Sequence, residues 1–404
     1  MQPVRVVVTG LGAVSAAGIG VDPLWRAARS GQSCVSRPEF PREGSNRVKI
    51  AAHLRDFRPE DFIDAKLLPY YDRYTQFAVV AADEALAQAG LGDERWLGER
   101  TGVILGTGGG GLMTIEEFCY TELVLKTRTD PLSIPRGMNS AAASQIGMRY
   151  GCTGPTFAVT SACASGAQSI GMACLLIRWG LVDRVIAGGS DAAITPLNIR
   201  GWETLRVLTP DFSRPFSIGR NGMVLGEGAA VFVIESDTSA RARGATPLAE
   251  LAGYGTSSDA FDIVRPDVDG AVKAMQLAID DAELAPEEID YVNAHGTGTI
   301  ANDIAEAEAL RRVFGDRLDE LPVSSTKPIH GHTLGAAGAI ELTVAIMALR
   351  ENIAPPTINW LGADPKIRLD PVPNEARAVP MRAVLSNSLA FGGINACLVA
   401  TQAE

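Results

Sequence analysis

The stretch Phe157-Ala158-Val159-Thr160-Ser161-Ala162-Cys163-Ala164-Ser165-Gly166 places a strand, a turn and a helix start in immediate succession. Phe157–Thr160 reads as a buried strand, and Ala164–Trp179 as a helix rich in small residues. A second stretch echoes it: Pro322–Ser325 is strand-like and leads through Lys327-Pro328-Ile329-His330-Gly331-His332 into a helix over Ala336–Leu349. Both helices carry small residues (Gly166, Ala167, Gly171 and Ala173 in one, Gly335, Ala336, Ala337 and Gly338 in the other) suited to close packing in a crowded interior. Two similar halves meeting near residue 250 are therefore expected, residues 1–250 holding the cysteine and 251–404 holding the histidines.

Outward from these two stretches, strand-like and helix-like runs alternate. Arg5–Thr9, Gly102–Leu105, Arg184–Ala187, Pro247–Gly253, Ile289–Asn293, Ala383–Ser386 and Ala396–Ala400 read as strands. Tyr74–Ala89, Gly270–Ala282 and Ile304–Phe314 read as helices. That alternation predicts an α/β architecture with covered sheets. Gly10-Leu11-Gly12-Ala13 follows the first strand and reads as a turn. It lacks the third glycine of a dinucleotide loop, and no acidic residue ends a second strand near position 30, which disfavours a Rossmann dehydrogenase.

Composition narrows the function. The chain has 404 residues with 36 Lys+Arg against 47 Asp+Glu, a net charge of −11, which argues against nucleic-acid binding. Hydrophobic residues make up 46% and charged residues 21%, so a packed core is expected and disorder is not. Gly, Glu and Thr interrupt the longest apolar run, and no segment approaches a membrane span. The single Arg5 before the first apolar run is a poor signal-peptide start, and the six cysteines form no CxxC pair or framework spacing. Both point to a cytoplasmic protein with reduced thiols.

Cys163, between a strand and a helix start, would gain thiolate character from the helix amides; the alternative is a buried structural thiol. Of four histidines, His295 sits in Asn293-Ala294-His295-Gly296-Thr297-Gly298-Thr299 directly after a strand, and His332 just before a helix. His332 should stay neutral there and donate through one nitrogen. His53, beside Ala51 and Ala52, reads as structural. A cysteine with two loop-borne histidines is a workable acyl-transfer set. His295, His330 and His332 could instead ligate zinc, but the Gly/Thr-rich surroundings and the neighbouring Lys327 disfavour it, and no metal is expected. Asp303-Ile304-Ala305-Glu306 has capping-box spacing ahead of a helix. Lys327 suits a buried partner such as Glu306. The Asn387–Asn395 loop, with Gly392 and Gly393, can aim backbone N–H groups at an oxyanion.

Together these segments resemble the elongating β-ketoacyl-acyl-carrier-protein synthases of the thiolase-like superfamily. The likeness runs from about Arg5 to Val399. It rests on Thr160–Gly166, Asn293–Thr299, Ser325-Thr326-Lys327 through His332, and Phe391-Gly392-Gly393-x-Asn395, in that order. The resemblance implies a duplicated five-layer αβαβα fold and a decarboxylative Claisen condensation between a Cys163-bound acyl group and malonyl-acyl-carrier protein. It makes Cys163 the nucleophile, the backbone N–H groups of Cys163 and Phe391 the oxyanion hole, and His295 and His332 the donors to the enolate. Lys327, paired with Glu306, would organise the histidine loop, and Thr297 and Thr299 would hold the phosphopantetheine arm. No cofactor is implied, because the substrates ride on the phosphopantetheine of an acyl carrier protein. Cys163 distinguishes the chain from the cysteine-less chain-length-factor subunit.

Three departures bear on the acyl chain. Gly109 stands where a bulky aliphatic often lines the acyl pocket, Ser133 where an aromatic can close it, and Leu389 where the gating loop usually has Phe. Trimmed side chains leave room for a longer or stiffer chain, so a polyene- or nodulation-type polyketide or fatty-acyl system stands beside housekeeping fatty-acid elongation. The partners implied are an acyl carrier protein and either a second copy of the chain or a chain-length-factor-like subunit. Lys126, Arg128 and Arg206 are candidates for carrier docking. The competing readings are a thiolase-type acyl-CoA acyltransferase, which would want a second catalytic cysteine, and a largely non-catalytic pairing subunit.

Overall fold

The computed structural model describes residues 4–40, 42 and 44–403. The first half is built from β1 (Val6–Ser15), α1 (Arg73–Gln88), β2 (Thr101–Gly106), α2 (Ala141–Tyr150), β3 (Thr156–Val159), α3 (Ser165–Arg178), β4 (Arg184–Asp191) and β5 (Gly228–Ser236). The second half follows with β6 (Ala249–Ser258), α4 (Val268–Asp281), β7 (Tyr291–Asn293), α5 (Ile300–Phe314), β8 (Val323–Ser324), α6 (Ala337–Glu351), β9 (Ala383–Ala390) and β10 (Ile394–Thr401).

The strands run in the order β3-β2-β4-β5-β1 in one half and β8-β7-β9-β10-β6 in the other. Adding five to each number of the first series gives the second, and the directions agree as well. In each half the first three strands of the series are parallel and the last two pair antiparallel. Among the described residues, ladder pairing between named strands passes from one half to the other only where Val7 and Val8 of β1 meet Glu250 and Ala249 of β6.

Helices separate the sheets into layers. α1 and α2 cover the outer face of the first sheet, α4 and α5 that of the second, and α3 and α6 pack on each other between the two. That is the five-layer αβαβα arrangement. Both central helices face a sheet and each other, so their buried positions are almost continuous: Ala337 through Ile346 of α6 are all buried. Small residues permit the contact. A Cβ at Gly166 would stand 2.9 Å from the carbonyl oxygen of Gly335, and one at Gly338 would stand 2.9 Å from Ala167.

The expected turn at Gly10–Gly12 is not one. β1 continues through both glycines to Ser15, with a register shift against β5 between Val8 and Gly10. The reason is packing: a Cβ at Gly12 would lie 1.9 Å from the Ala81 carbonyl oxygen, and one at Gly10 2.0 Å from that of Ala85. The glycines let α1 lie directly on the strand. Among the described residues, no helix is long and apolar enough to cross a membrane.

Candidate active site

Cys163 occupies the turn between β3 and α3. Ala162, just before it, has φ 49°, a left-handed conformation that a side-chain-bearing residue enters at a cost. Ser165 holds the turn: its hydroxyl accepts from the Ser161 N–H at 2.9 Å and lies 2.6 Å from the Ala162 carbonyl oxygen. Ala164 offers no capping side chain, so the first amides of α3 remain without one. Among the described residues, no backbone carbonyl oxygen accepts from the N–H of Cys163 or of Phe391.

The second half supplies the histidines. His295 follows β7, and His332 lies between the short helix Lys327–His330 and the turn Leu334–Ala336. The Cys163 sulfur and ring nitrogens of His295 and His332 all lie within 4.8 Å of one another, and all three residues are buried. The two rings meet edge to face, with centroids 5.3 Å apart.

Hydrogen bonds fix both tautomers. Leu334 N–H donates to Nδ1 of His332 at 3.1 Å, and the Lys327 ammonium faces Nδ1 of His295 at 3.3 Å. With Nδ1 accepting in each ring, the proton sits on Nε2. Burial, and after it the Lys327 charge, holds both imidazoles well below their ordinary pKa, so they are neutral donors. The same bonds answer the metal reading. An ion would need the Nε2 lone pairs, and these donors place the protons there. His330 does not join the cluster: it bonds to Thr326 and Gly331, and burial pushes it down to about 3.

The thiol is not held as a thiolate. Burial pushes Cys163 up to about 12, and the Lys327 charge only partly offsets it. Desolvation therefore outweighs the thiolate character expected from the helix start.

Lys327 does not pair with Glu306. Its ammonium is bonded to Glu341 and to the His295 carbonyl oxygen, and burial raises the Glu341 carboxyl to about 7 even against that cation. Glu306 instead accepts the backbone N–H groups of His295 and Gly296, each at 2.7 Å. The Asp303–Glu306 pair does not cap a helix either, because α5 begins at Ile300 with Thr299 as its N-cap. Asp303 lies in the first turn of α5 and Glu306 beyond it; both hold the loop before the helix, and Asp303 accepts from the N–H groups of Phe216 and Gly298. The helix is longer than its apolar pattern suggests because Thr299 starts it among polar residues.

A cleft leads to Cys163, His295 and His332. Thr297, Thr299, Leu389 and Phe391 line it as well, the two threonine hydroxyls 2.9 Å apart. Phe391 stacks on Trp202 with centroids 5.8 Å apart. Gly109 and Ser133 do not line this cleft: the Gly109 N–H bonds to Asp191, and the Ser133 hydroxyl to the Asp130 carbonyl oxygen. Lys126, Arg128 and Arg206 are exposed, and Arg206 adjoins Val207 of the cleft wall. Sequence reasoning missed Glu341, Asp191 and Trp202. Glu341 had a signal, being the lone charge between Ala337 and Leu349.

Comparison with known proteins agrees with the geometry. Residues 4–240 match the family model "Beta-ketoacyl synthase, N-terminal domain", and residues 248–360 match "Beta-ketoacyl synthase, C-terminal domain". The chain is 45% identical to nodulation protein E of Rhizobium leguminosarum bv. trifolii, covering 98% of this chain and 99% of that one. It is 41% identical to 3-oxoacyl-[acyl-carrier-protein] synthase 2 of Coxiella burnetii, covering 99% of each. Among solved structures, the ishigamide ketosynthase/chain length factor superposes with a TM-score of 0.95 at 36% identity, covering 100% of both chains.

Proposed function

The chain belongs to the β-ketoacyl synthase family, and from that premise we propose how its own residues carry the reaction. It is an acyltransferase that condenses malonyl-acyl-carrier protein with an enzyme-bound acyl group in fatty-acid or polyketide elongation. The observation that carries the assignment of roles is the convergence of one buried thiol and two Nε2–H donors at the end of one cleft.

In the first step Cys163 Sγ attacks the carbonyl of an acyl thioester. The oxyanion lies against the N–H groups of Cys163 and Phe391. Collapse breaks the carbon–sulfur bond to phosphopantetheine, whose thiolate takes up the proton that Cys163 loses. The protonated resting thiol suits this exchange, because the nucleophile and the leaving group are both thiols and no charge is left behind.

Malonyl thioester then occupies the cleft, its arm beside Thr297 and Thr299. The bond to the carboxylate breaks, carbon dioxide leaves, and the electron pair becomes an enolate. His295 and His332 donate to the enolate oxygen. A neutral imidazole does this without protonating the carbon that must react. That carbon attacks the acyl-Cys163 carbonyl, the Cys163 thiolate leaves, and a solvent proton restores the thiol.

Lys327 keeps His295 in its donor tautomer, and Glu306 holds the main chain of the same loop. The mechanism needs no cofactor beyond the carrier's own arm. Residues 1–250 and 251–404 are read as the two halves that supply the nucleophile and the donors. Lys126, Arg128 and Arg206 are proposed to meet the acidic carrier. Leu389 trims the cleft wall, while Gly109 and Ser133 are proposed to make room for the acyl chain beyond it. The protein works beside a second copy of itself or a chain-length-factor-like subunit. Leu123, Val124, Leu125 and Ile134 are large apolar residues left exposed on one stretch of chain, which suits such a partner. Six free cysteines support a cytoplasmic location.

A thiolase-type exchange with free coenzyme A lacks its second thiol: Cys397 is buried in β10 and bonded to Asn387. Intact-mass spectrometry with acyl-carrier-protein thioesters tests the proposal. An acyl-sized gain in wild type that vanishes in Cys163→Ala is expected; a gain that survives the substitution would overturn it.

A further inference from the structure

Asp191 ends β4 in the first half, is buried, and among the described residues makes no hydrogen bond to Cys163 or to a histidine ring. Its carboxylate nevertheless gathers four donors. Oδ1 accepts from the Thr107 hydroxyl at 2.7 Å and the Gly109 N–H at 3.3 Å, and Oδ2 from the N–H groups of Gly108 at 2.8 Å and Gly335 at 2.6 Å. Three of those donors belong to the first half. The fourth, Gly335, lies three residues after His332 in the second.

What Gly335 adjoins gives the contact its meaning. Leu334 supplies the N–H that fixes the His332 tautomer, and it does so with φ 50°. Leucine enters that left-handed conformation at a cost, so a neighbouring contact must hold it there. On its other side the main chain of His332 is held by Val224 and Gly226. On the Leu334 side the shortest bond across to the first half is the one from Gly335 to Asp191. There is no slack: a Cβ at Gly335 would lie 2.2 Å from the Gly108 nitrogen and 2.7 Å from Asp191 Oδ2.

We propose that Asp191 is the positioning residue for His332, pinning the Leu334–Gly335 turn so that the ring presents Nε2–H to the enolate. Burial raises the Asp191 carboxyl to about 6, so it is ionised and purely accepting at neutral pH, as four donors require. The nucleophile turn is less dependent on it. Ser165 braces that turn with its own bonds to Ser161 and Ala162, and reaches Asp191 only through the Thr107 residue. The inference rests on the roles proposed above for Cys163 and His332.

The test separates two half-reactions in the full-length protein: acylation of Cys163 by an acyl-carrier-protein thioester, and carbon dioxide release from malonyl-carrier protein. Asp191→Asn replaces an accepting oxygen with a donor facing donors. Its decarboxylation kcat should fall by about 10- to 100-fold, the size expected for a misplaced reacting group. Its KM for malonyl-carrier and its Cys163 acylation rate should stay within about threefold of wild type. Thr107→Val, which removes one donor at a distance from Gly335, should show a smaller loss of the same selectivity and serves if Asp191→Asn does not fold. Equal losses in both half-reactions, or unchanged decarboxylation in either folded variant, would overturn the proposal. Wild type inert in both half-reactions would instead sink the functional reading itself.

Discussion

The Lys327 ammonium bonds to His295 twice, at the ring Nδ1 and at the carbonyl oxygen, while its charge is met by Glu341 on α6. One buried cation thus fixes the tautomer, the ring orientation and the main chain of a catalytic candidate. It needs a counter-ion because an unpaired charge could not remain in so dry a site.

Lys327→Ala should therefore damage stability and chemistry separately. It leaves Glu341 buried without its partner, at a cost of about 3–5 kcal/mol in chemical denaturation. Adding Glu341→Gln should recover much of that stability. Malonyl decarboxylation should stay depressed in the double variant, because His295 has still lost the donor at Nδ1. Recovery of both together would contradict the role given to Lys327.

The second prediction concerns Glu306. Glu306→Gln keeps one accepting oxygen where the carboxylate used two for the N–H groups of His295 and Gly296. A loss of about 1–3 kcal/mol in unfolding free energy is expected. Condensation should slow as well, since the loop that carries His295 loosens. Glu306→Asp, too short to reach both amides, should be no better.

The resting thiol carries a pH signature. With its pKa raised to about 12 by burial, Cys163 is a thiolate only to a small and pH-dependent extent. Alkylation by iodoacetamide, followed by mass spectrometry at Cys163, should accelerate about tenfold per unit from about pH 7 to 10 without levelling off. A plateau below about pH 8.5 would mean that the helix amides and Lys327 overcome desolvation after all.

Gly12→Ala should unfold the protein or cost at least about 3 kcal/mol, because its Cβ would collide with the main chain of α1 and not with a movable side chain. Far from the cleft, the substitution should leave the KM of any folded fraction unchanged. A mild effect on thermal stability would show that α1 can shift off β1.

Much of the site was legible because its residues sit in short runs whose chemistry is local: a thiol before a small-residue helix, and histidines directly after strands or before helices. Cys163, His295 and His332 converge as those runs suggest. The partners of Lys327 and Glu306 were not legible, since pairing is decided by which helices face one another. Glu341 and Glu306 are comparable carboxylates on different layers of the fold. Asp191 was hidden for the same reason, its importance residing in backbone amides from two distant segments. In the fold, β5 goes unplaced by the alternation argument although Val231-Phe232-Val233-Ile234 is a plain buried run. Gly10 and Gly12 read as a turn because glycine signals both a bend and a close approach, and only α1 tells them apart.

The single short seam between β1 and β6 has an evolutionary and an experimental consequence. The nucleophile grows from one repeat and the enolate's hydrogen-bond donors from the other, so neither repeat alone holds the whole site. Duplication would have freed each copy to keep one chemical duty and shed the rest. A gene cut between the repeats, in the Asp237–Leu248 connection, should yield two inert polypeptides whose activity returns on mixing and scales with their encounter. Catalysis in this molecule belongs to the alignment of two halves, which one shared buried cluster holds in place.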